Sequence, residues 1–133
     1  MGESDLEARV RRLEDESAIQ RLLMSYGPAA DAGNAAFAAG LWLEDGEYDW
    51  DANQDPFQGA GSVDAMLQSE GHQRLMAEGV AHFGGPLLID VGDDDATAVN
   101  YSLIMRREER RYYLWRVSAA RWDLERSGSG WRV

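Results

Sequence analysis

The sequence contains no lysine and no cysteine, and its histidines are His72 and His82 alone. Without lysine there is no Schiff base and no P-loop lysine, and without cysteine there is no thiolate nucleophile, disulfide, zinc–thiolate site or iron–sulfur site. Two histidines nearly exclude a metal site that needs two or three imidazoles, although a carboxylate-rich site stays open. The chemistry available is therefore that of carboxylates, hydroxyls, arginine and one or two imidazoles.

Positive charge is also scarce, since 13 arginines stand against 24 acidic residues and give a net charge of −11. A field of this sign repels phosphate backbones and anionic lipid surfaces, so we expect neither a nucleic-acid nor a membrane partner. No apolar run approaches the roughly 20 residues of a membrane span. The first ten residues have neither a basic nor an apolar signal region, which predicts a cytoplasmic protein.

The length of 133 residues and a hydrophobic content of 44% predict one folded domain over residues 1–133. Apolar residues recur at three- and four-residue steps from Ser4 to about Gly27, which predicts an amphipathic helix that falters at Gly27–Pro28. A second helix is predicted from Asn34, with Phe37, Leu41 and Trp42 inward, and a third from Ser62 to Gln73 or Glu78.

Strand patterns dominate the rest of the chain. A short strand is predicted over 47–51, with Tyr48 and Trp50 on one face, and longer strands over 80–91, 96–106 and 111–124. The last three residues begin one more strand, so we expect the natural chain to continue. Helices followed by hairpin-linked strands predict an α+β domain whose antiparallel sheet bends around the long helix and leaves a cavity.

Three residues form the candidate catalytic group: His82, Asp31 and Tyr26. A histidine can accept a proton near neutral pH when a carboxylate fixes its other ring nitrogen, and a phenol can donate a hydrogen bond to a leaving oxygen or enolate. Asp31 is the candidate carboxylate and Tyr26 the candidate donor. The alternative is structural: an interior histidine, an N-cap and a core aromatic.

Further residues are candidates for the cavity wall or for contacts with another subunit. The aromatic candidates for substrate binding are Trp50 and Trp122, and the polar ones are Asn100 and Ser102; packing or solvation is the alternative for each. His72 lies in a polar stretch and is predicted at the surface. Alternation over 111–124 places Tyr112, Leu114 and Trp122 on one face and Tyr113, Trp115 and Val117 on the other, which predicts a homo-oligomer, dimer or trimer.

Several short motifs follow one another in a set order along almost the whole chain: residues 18–23, Tyr26, Asp31, Gly33, Trp42, Glu44–Asp45, Gly59 or Gly61, His82, residues 123–126 and residues 130–132. In this order they resemble the SnoaL-like branch of the nuclear transport factor 2-like superfamily. The resemblance implies a cone-shaped α+β barrel, in which a curved antiparallel sheet wraps a long N-terminal helix and two shorter helices.

The same resemblance implies a chemistry. Scytalone dehydratase, hexachlorocyclohexane dehydrochlorinase and bile-acid 7α-dehydratase of this superfamily use an aspartate after the first helix and a histidine on a strand, and Asp31 and His82 match those positions. Tyr26 matches a tyrosine of the bile-acid enzyme. The implied function is a cofactor-independent, dehydratase-like lyase acting on a small apolar cyclic substrate. An aldol-type polyketide cyclase or isomerase, or a non-catalytic binding or assembly module, is the alternative.

Overall fold

The computed structural model describes residues 2–128 and 130–133. Its longest helix, α1, runs from Asp5 to Asp31. A capping box begins it, in which the Ser4 hydroxyl accepts from the Glu7 amide and the Glu7 carboxylate accepts from the Ser4 amide. The prediction that the helix falters at Gly27–Pro28 is wrong, because α1 continues through Pro28 and ends at Asp31.

Packing explains why the proline does not end the helix. Pro28 lacks one backbone donor, which costs about 3 kcal/mol in a helix interior. On both sides of it, however, the helix is held by tertiary contacts: Gly27 lies against β3 (Val80–Gly84), and Ala29 and Ala30 are buried. The Ala30 carbonyl, one of the last in α1, accepts a hydrogen bond from His72. These contacts stabilise the final turn that carries Asp31.

The apolar stripe of α1 is covered only along its C-terminal half. Ile19, Leu23 and Tyr26 are buried, whereas the stripe's earlier members are exposed. These exposed members are Leu6, Val10 and Leu13. The periodicity therefore predicts the helix correctly, but it does not predict which half of the helix packs against the rest of the protein.

Three shorter helices follow: α2 (Ala35–Ala39), α3 (Gly59–Leu67) and α4 (Glu70–Glu78). Asn34 caps α2 as predicted, but Phe37 is 52% exposed and does not point inward. The single helix predicted from Ser62 is two helices, because Ser69 adopts an extended conformation and caps α4.

A two-stranded sheet joins β1 (Glu47–Tyr48) to β2 (Phe57–Gln58), so the strand predicted over 47–51 stops before Trp50. The main sheet is antiparallel and curled, and β5 and β6 form its centre. The predicted strand over 80–91 is interrupted at 85–87. The strands of the main sheet are β3, β4 (Leu88–Val91), β5 (Asp95–Glu108), β6 (Arg111–Ser127) and β7 (Gly130–Arg132).

A bulge changes which side chains of β6 face the helices. Arg116 pairs with Ile104, but the next residue of β5, Met105, pairs with Leu114, so Trp115 has no partner. One extra residue reverses the alternation. The prediction that Leu114 and Tyr112 share a face with Trp122 is therefore wrong.

Two clusters of buried residues hold the helices on the sheet. One packs the second half of α1 against α2 and α3 and is centred on Trp42, Val63 and Leu67. The other packs Ile19 and Leu23 against β5, β6 and β7. Beside these clusters, the curled sheet leaves a cavity next to the C-terminal end of α1.

Candidate active site

The cavity has a volume of about 1020 Å³ and lies against the concave face of the sheet. Its wall includes six of the seven residues predicted to form the site, namely Tyr26, His82, Trp50, Asn100, Ser102 and Trp122. The seventh, Asp31, is not part of the wall but is hydrogen-bonded to His82, which is. Pockets for small molecules have volumes of roughly 300–1,000 Å³, so this one has room for a molecule of several rings.

Asp31 and His82 make two hydrogen bonds to each other. Nδ1 of His82 lies 2.6 Å from Oδ1 of Asp31, and the backbone N–H of His82 donates to Oδ2 at 2.8 Å. The two side chains are 19% and 15% exposed. A carboxylate only accepts hydrogen bonds, so Nδ1 carries a proton and Nε2 of a neutral ring is the free base. Among the described residues, Nε2 has no hydrogen-bond partner.

Gly27 makes this geometry possible. A Cβ atom at position 27 would overlap the carbonyl oxygen of His82, so helix and strand touch backbone to backbone here. Tyr26 and Asp31 reach the imidazole from either side of this contact. In the sequence Gly27 was interpreted only as a helix breaker, although its position between the two candidate residues was a signal of this contact.

Tyr26 stands beside the imidazole, with ring centroids 6.2 Å apart and planes at 82°. Burial raises the pKa of Tyr26 far above its ordinary value, and the neighbouring Tyr48 and Asp31 raise it further. Burial likewise raises the pKa of Tyr48, whose ring centroid is 5.9 Å from that of Tyr26. Both phenols therefore stay protonated and act as hydrogen-bond donors.

His72 is not at the surface as predicted. Its residue exposure is 7%, and Nε2 lies 3.0 Å from the Ala30 carbonyl oxygen. That oxygen can only accept, so Nε2 donates and the Nδ1 of a neutral ring is unprotonated. The ring lies 6.3 Å from that of His82 and lines the cavity. The polar sequence around His72 concealed this position, because α4 presents one buried face and one exposed face.

Asn100 and Trp122 form a fixed wall. The Asn100 amide donates to the Gly85 carbonyl at 3.1 Å and accepts from Nε1 of Trp122 at 3.2 Å. Its polar atoms are thus largely used within the protein. Ser102 lies opposite Ser118 on the neighbouring strand, and both line the cavity. Their hydroxyls make no side-chain hydrogen bond among the described residues.

Trp50 and Arg116 form a second polar part of the wall. The Arg116 guanidinium donates to the Trp50 carbonyl, and its central carbon lies 5.2 Å from the centroid of the Trp50 ring. Nε1 of Trp50 is buried without a hydrogen-bond partner among residues 2–128 and 130–133. Trp50 was predicted from the sequence to line the cavity, whereas Arg116 was not.

The described part of the chain has neither a candidate metal site nor a helix that could span a membrane. It contains no group of three or more histidine and acidic side chains placed to hold a metal ion. In the same residues, every helix is too short or too polar to cross a membrane.

Residues 11–133 match the profile of the SnoaL-like domain family. The chain belongs to this family. Among curated proteins, none matches the SnoaL-like chain significantly. Solved structures do match it. An NTF2-like protein with a cystatin-like fold from Novosphingobium aromaticivorans is 41% identical over 96% of this chain and 82% of its own, with a TM-score of 0.92.

Two more distant structures share the fold of this SnoaL-like domain. A protein from Catenulispora acidiphila, solved in complex with S-DNPA, is 23% identical over 86% of this chain and 84% of its own, with a TM-score of 0.75. A candidate scytalone dehydratase from Novosphingobium aromaticivorans is 21% identical over 91% and 80%, with a TM-score of 0.72. The expected α+β barrel of the nuclear transport factor 2-like type is confirmed.

Proposed function

We propose that this SnoaL-like protein is a dehydratase-like lyase that needs no cofactor and acts on a small apolar cyclic substrate. One observation carries the proposal. Asp31 accepts from both Nδ1 and the backbone N–H of His82, and the opposite ring nitrogen has no partner among the described residues and lies beside a large cavity. This is the arrangement of a general base whose tautomer and orientation are fixed by a carboxylate.

The proposed reaction begins with proton removal. Nε2 of His82 takes the proton from a carbon next to a carbonyl group, and the C–H electron pair forms an enolate. Asp31 stabilises the resulting imidazolium because its carboxylate accepts the Nδ1 proton in a hydrogen bond. The enolate then expels a hydroxyl group from the next carbon, and a C=C bond forms.

The leaving hydroxyl needs a proton to depart as water. Tyr26 does not supply it, since burial raises its pKa, and the phenol instead donates a hydrogen bond to the departing oxygen. The proton that His82 has taken is available on Nε2. We therefore propose that the imidazolium returns it to the hydroxyl, so that base and acid are the same residue and the proton balance closes.

The substrate class follows from the cavity. About 1020 Å³ accommodates a steroid, terpenoid or polyketide fragment. Aromatic rings of Tyr26, Trp42, Tyr48 and Trp122 line it, which favours a flat apolar ring system. Ser102 and Ser118 supply hydroxyls for one or two polar groups of the substrate.

A panel of β-hydroxy carbonyl compounds with two to four fused rings tests the reaction, because elimination forms a conjugated product that absorbs in the ultraviolet. We expect His82→Ala to lower turnover about 10²- to 10⁴-fold without changing the far-ultraviolet circular dichroism. Turnover that survives in this variant would remove His82 from the role. A product with a new C–C bond would instead favour the aldol-type cyclase.

A second measurement needs no substrate. Because the chain has only two histidines, nitrogen NMR resolves both rings, and single substitutions assign them. We expect His82 in the neutral state to carry its proton on Nδ1. A proton on Nε2 would contradict the proposed base and favour a non-catalytic binding module.

We further propose that residues 1–133 act as one domain and that the protein is a homo-oligomer. Phe83, Tyr101 and Val117 are 54%, 72% and 61% exposed on neighbouring strands of the convex face. Contiguous apolar surface of this kind commonly marks an interface. Light scattering at micromolar concentration is expected to give the mass of a dimer or trimer, and a monomeric mass would refute the assembly.

A further inference from the structure

Arg116 differs from every other arginine of the chain. Of the 13 arginines, all within the described residues, only Arg106, Arg116 and Arg126 are not exposed. Arg106 pairs with Glu78 and Arg126 pairs with Asp15. Arg116 forms no ion pair with any described carboxylate. A partly buried cation without a counter-charge is unusual, because removal from water disfavours an uncompensated charge.

The lack of a counter-charge is not due to a shortage of acids nearby. Asp49 and Asp51 flank Trp50, to whose carbonyl oxygen Arg116 donates. A carbonyl oxygen satisfies one of the five guanidinium N–H donors but does not cancel the positive charge. The guanidinium lies over the Trp50 ring at a cation–π distance, which is a second contact with the same residue. The guanidinium therefore has donors to spare and no ion pair with a described carboxylate.

The register of the sheet relates Arg116 to the proposed base. His82 lies opposite Ile104, and Ile104 lies opposite Arg116, so the three residues form one row on the same face of three strands. Neighbouring strands are about 4.8 Å apart, which places the backbones of His82 and Arg116 roughly 10 Å apart across the cavity. A molecule of two fused rings spans this separation.

The charge of Arg116 also acts on one tyrosine of the site, Tyr48. Burial raises the pKa of Tyr48, and Arg116 opposes that rise. Both Tyr48 and Arg116 line the cavity. The guanidinium and the Tyr48 phenol therefore face the same cavity.

We propose that Arg116, held by Trp50, is an anion-binding subsite that selects ring-shaped substrates carrying a carboxylate on the side away from the carbon that His82 deprotonates. The inference rests on the proposed function for the position of the reacting carbon only. Arg116 is a specificity-determining residue in this scheme, and the substrate carboxylate supplies the ion-pair partner that the described residues do not.

The test compares two probes of equal shape, 2-naphthoate and 2-naphthamide, by isothermal titration calorimetry. We expect the protein to bind the acid at least about tenfold more tightly than the amide. Arg116→Gln is expected to weaken naphthoate binding about 10- to 100-fold and to leave naphthamide binding within about threefold. Arg111→Gln removes the same charge from an exposed position of the same strand, and it is expected to change neither affinity.

Three results would overturn the inference: no binding of naphthoate to the unaltered protein, equal affinity for both probes, or equal weakening of both by Arg116→Gln. The last would mean that Arg116 only supports the wall at Trp50. Should Arg116→Gln fail to fold, Arg116→Lys is tested instead, because it keeps the charge. A retained preference for the acid supports the subsite, and a lost preference overturns it. His82→Ala should keep that preference while losing turnover, so the subsite and the reaction fail independently.

Discussion

Helix α1 carries two carboxylates that contact the sheet, Asp15 and Asp31, and they differ in what they bind. Asp15 accepts two hydrogen bonds of 2.9 Å from Arg126 and one of 3.0 Å from Nε1 of Trp131. Asp31 accepts from the side chain and backbone of His82. Arg126 is always protonated, whereas the imidazole of His82 has a second ring nitrogen that can accept a proton.

The second difference is what lies beyond each partner. The Arg126 guanidinium stacks at 4.4 Å on the Trp131 ring, and its Nε donates to the Asp93 carbonyl, so its donors are used within the protein. His82 lines the cavity, and its Nε2 makes no hydrogen bond within the described part of the chain. Asp15 thus attaches the middle of the helix to the sheet, whereas Asp31 orients a candidate reactive group at the end of the helix.

The largest effect that separates the two carboxylates is expected on turnover. In Asp31→Asn the amide cannot accept from both donors of His82, so the imidazole is driven towards the tautomer with its proton on Nε2 and loses its free base. We expect turnover to fall about 10²- to 10³-fold. Nitrogen NMR of His82 reports the tautomer directly, and an unchanged tautomer with normal turnover would contradict the proposed role of Asp31.

The matched substitution at the other carboxylate is expected to act on stability. Asp15→Asn loses the charged pair with Arg126, and we expect the free energy of unfolding to fall by about 2 kcal/mol. Turnover per folded molecule should not change. Urea unfolding with parallel activity assays measures both, and a large loss of turnover in this variant would remove the distinction between the two carboxylates.

The pH dependence of that stability difference has a defined sign. The hydrogen bonds from Arg126 hold the pKa of Asp15 below its ordinary value. The stabilisation is therefore fully present above about pH 5, where the carboxyl is ionised in the unfolded chain as well. It is lost as pH falls through the lowered pKa of the folded state, so wild type and Asp15→Asn should converge in acid.

A third substitution, with a smaller expected effect, tests whether the site near Asp31 uses the Tyr26 hydroxyl as well as the imidazole. Tyr26→Phe removes one hydroxyl and keeps the ring that packs on Trp42 and His82. We expect turnover to fall about tenfold, because one neutral hydrogen bond to the departing oxygen is lost. The His82 tautomer should not change. Unaltered turnover would leave Tyr26 as a packing residue.

The fold was largely predictable from the sequence. The capping box at Ser4, the cap at Asn34 and the hairpins between β4, β5 and β6 depend on local preferences that short patterns record. The errors lie where tertiary contacts override such preferences. Pro28 stays within α1 because the residues around it are held by β3 and His72, and the bulge at Trp115 reverses an alternation that looks regular in the sequence.

The candidate site was predictable only in part. His82 and Asp31 were candidates from their residue types, and the resemblance supported pairing them, since no local pattern relates residues 51 positions apart. His72 and Arg116 escaped prediction for a common reason: their importance depends on burial and on the partners they have or lack. A polar helix and a charged strand residue give no sign in the sequence of which side chain the fold turns inward.

The bare backbone at Gly27 has a consequence for how this protein can vary. Helix and strand meet there without an intervening side chain, so the spacing of the carboxyl group and the imidazole depends on the absence of a Cβ atom at position 27. Adding a methyl group at this point would keep every reactive residue in the sequence and still move two of them apart.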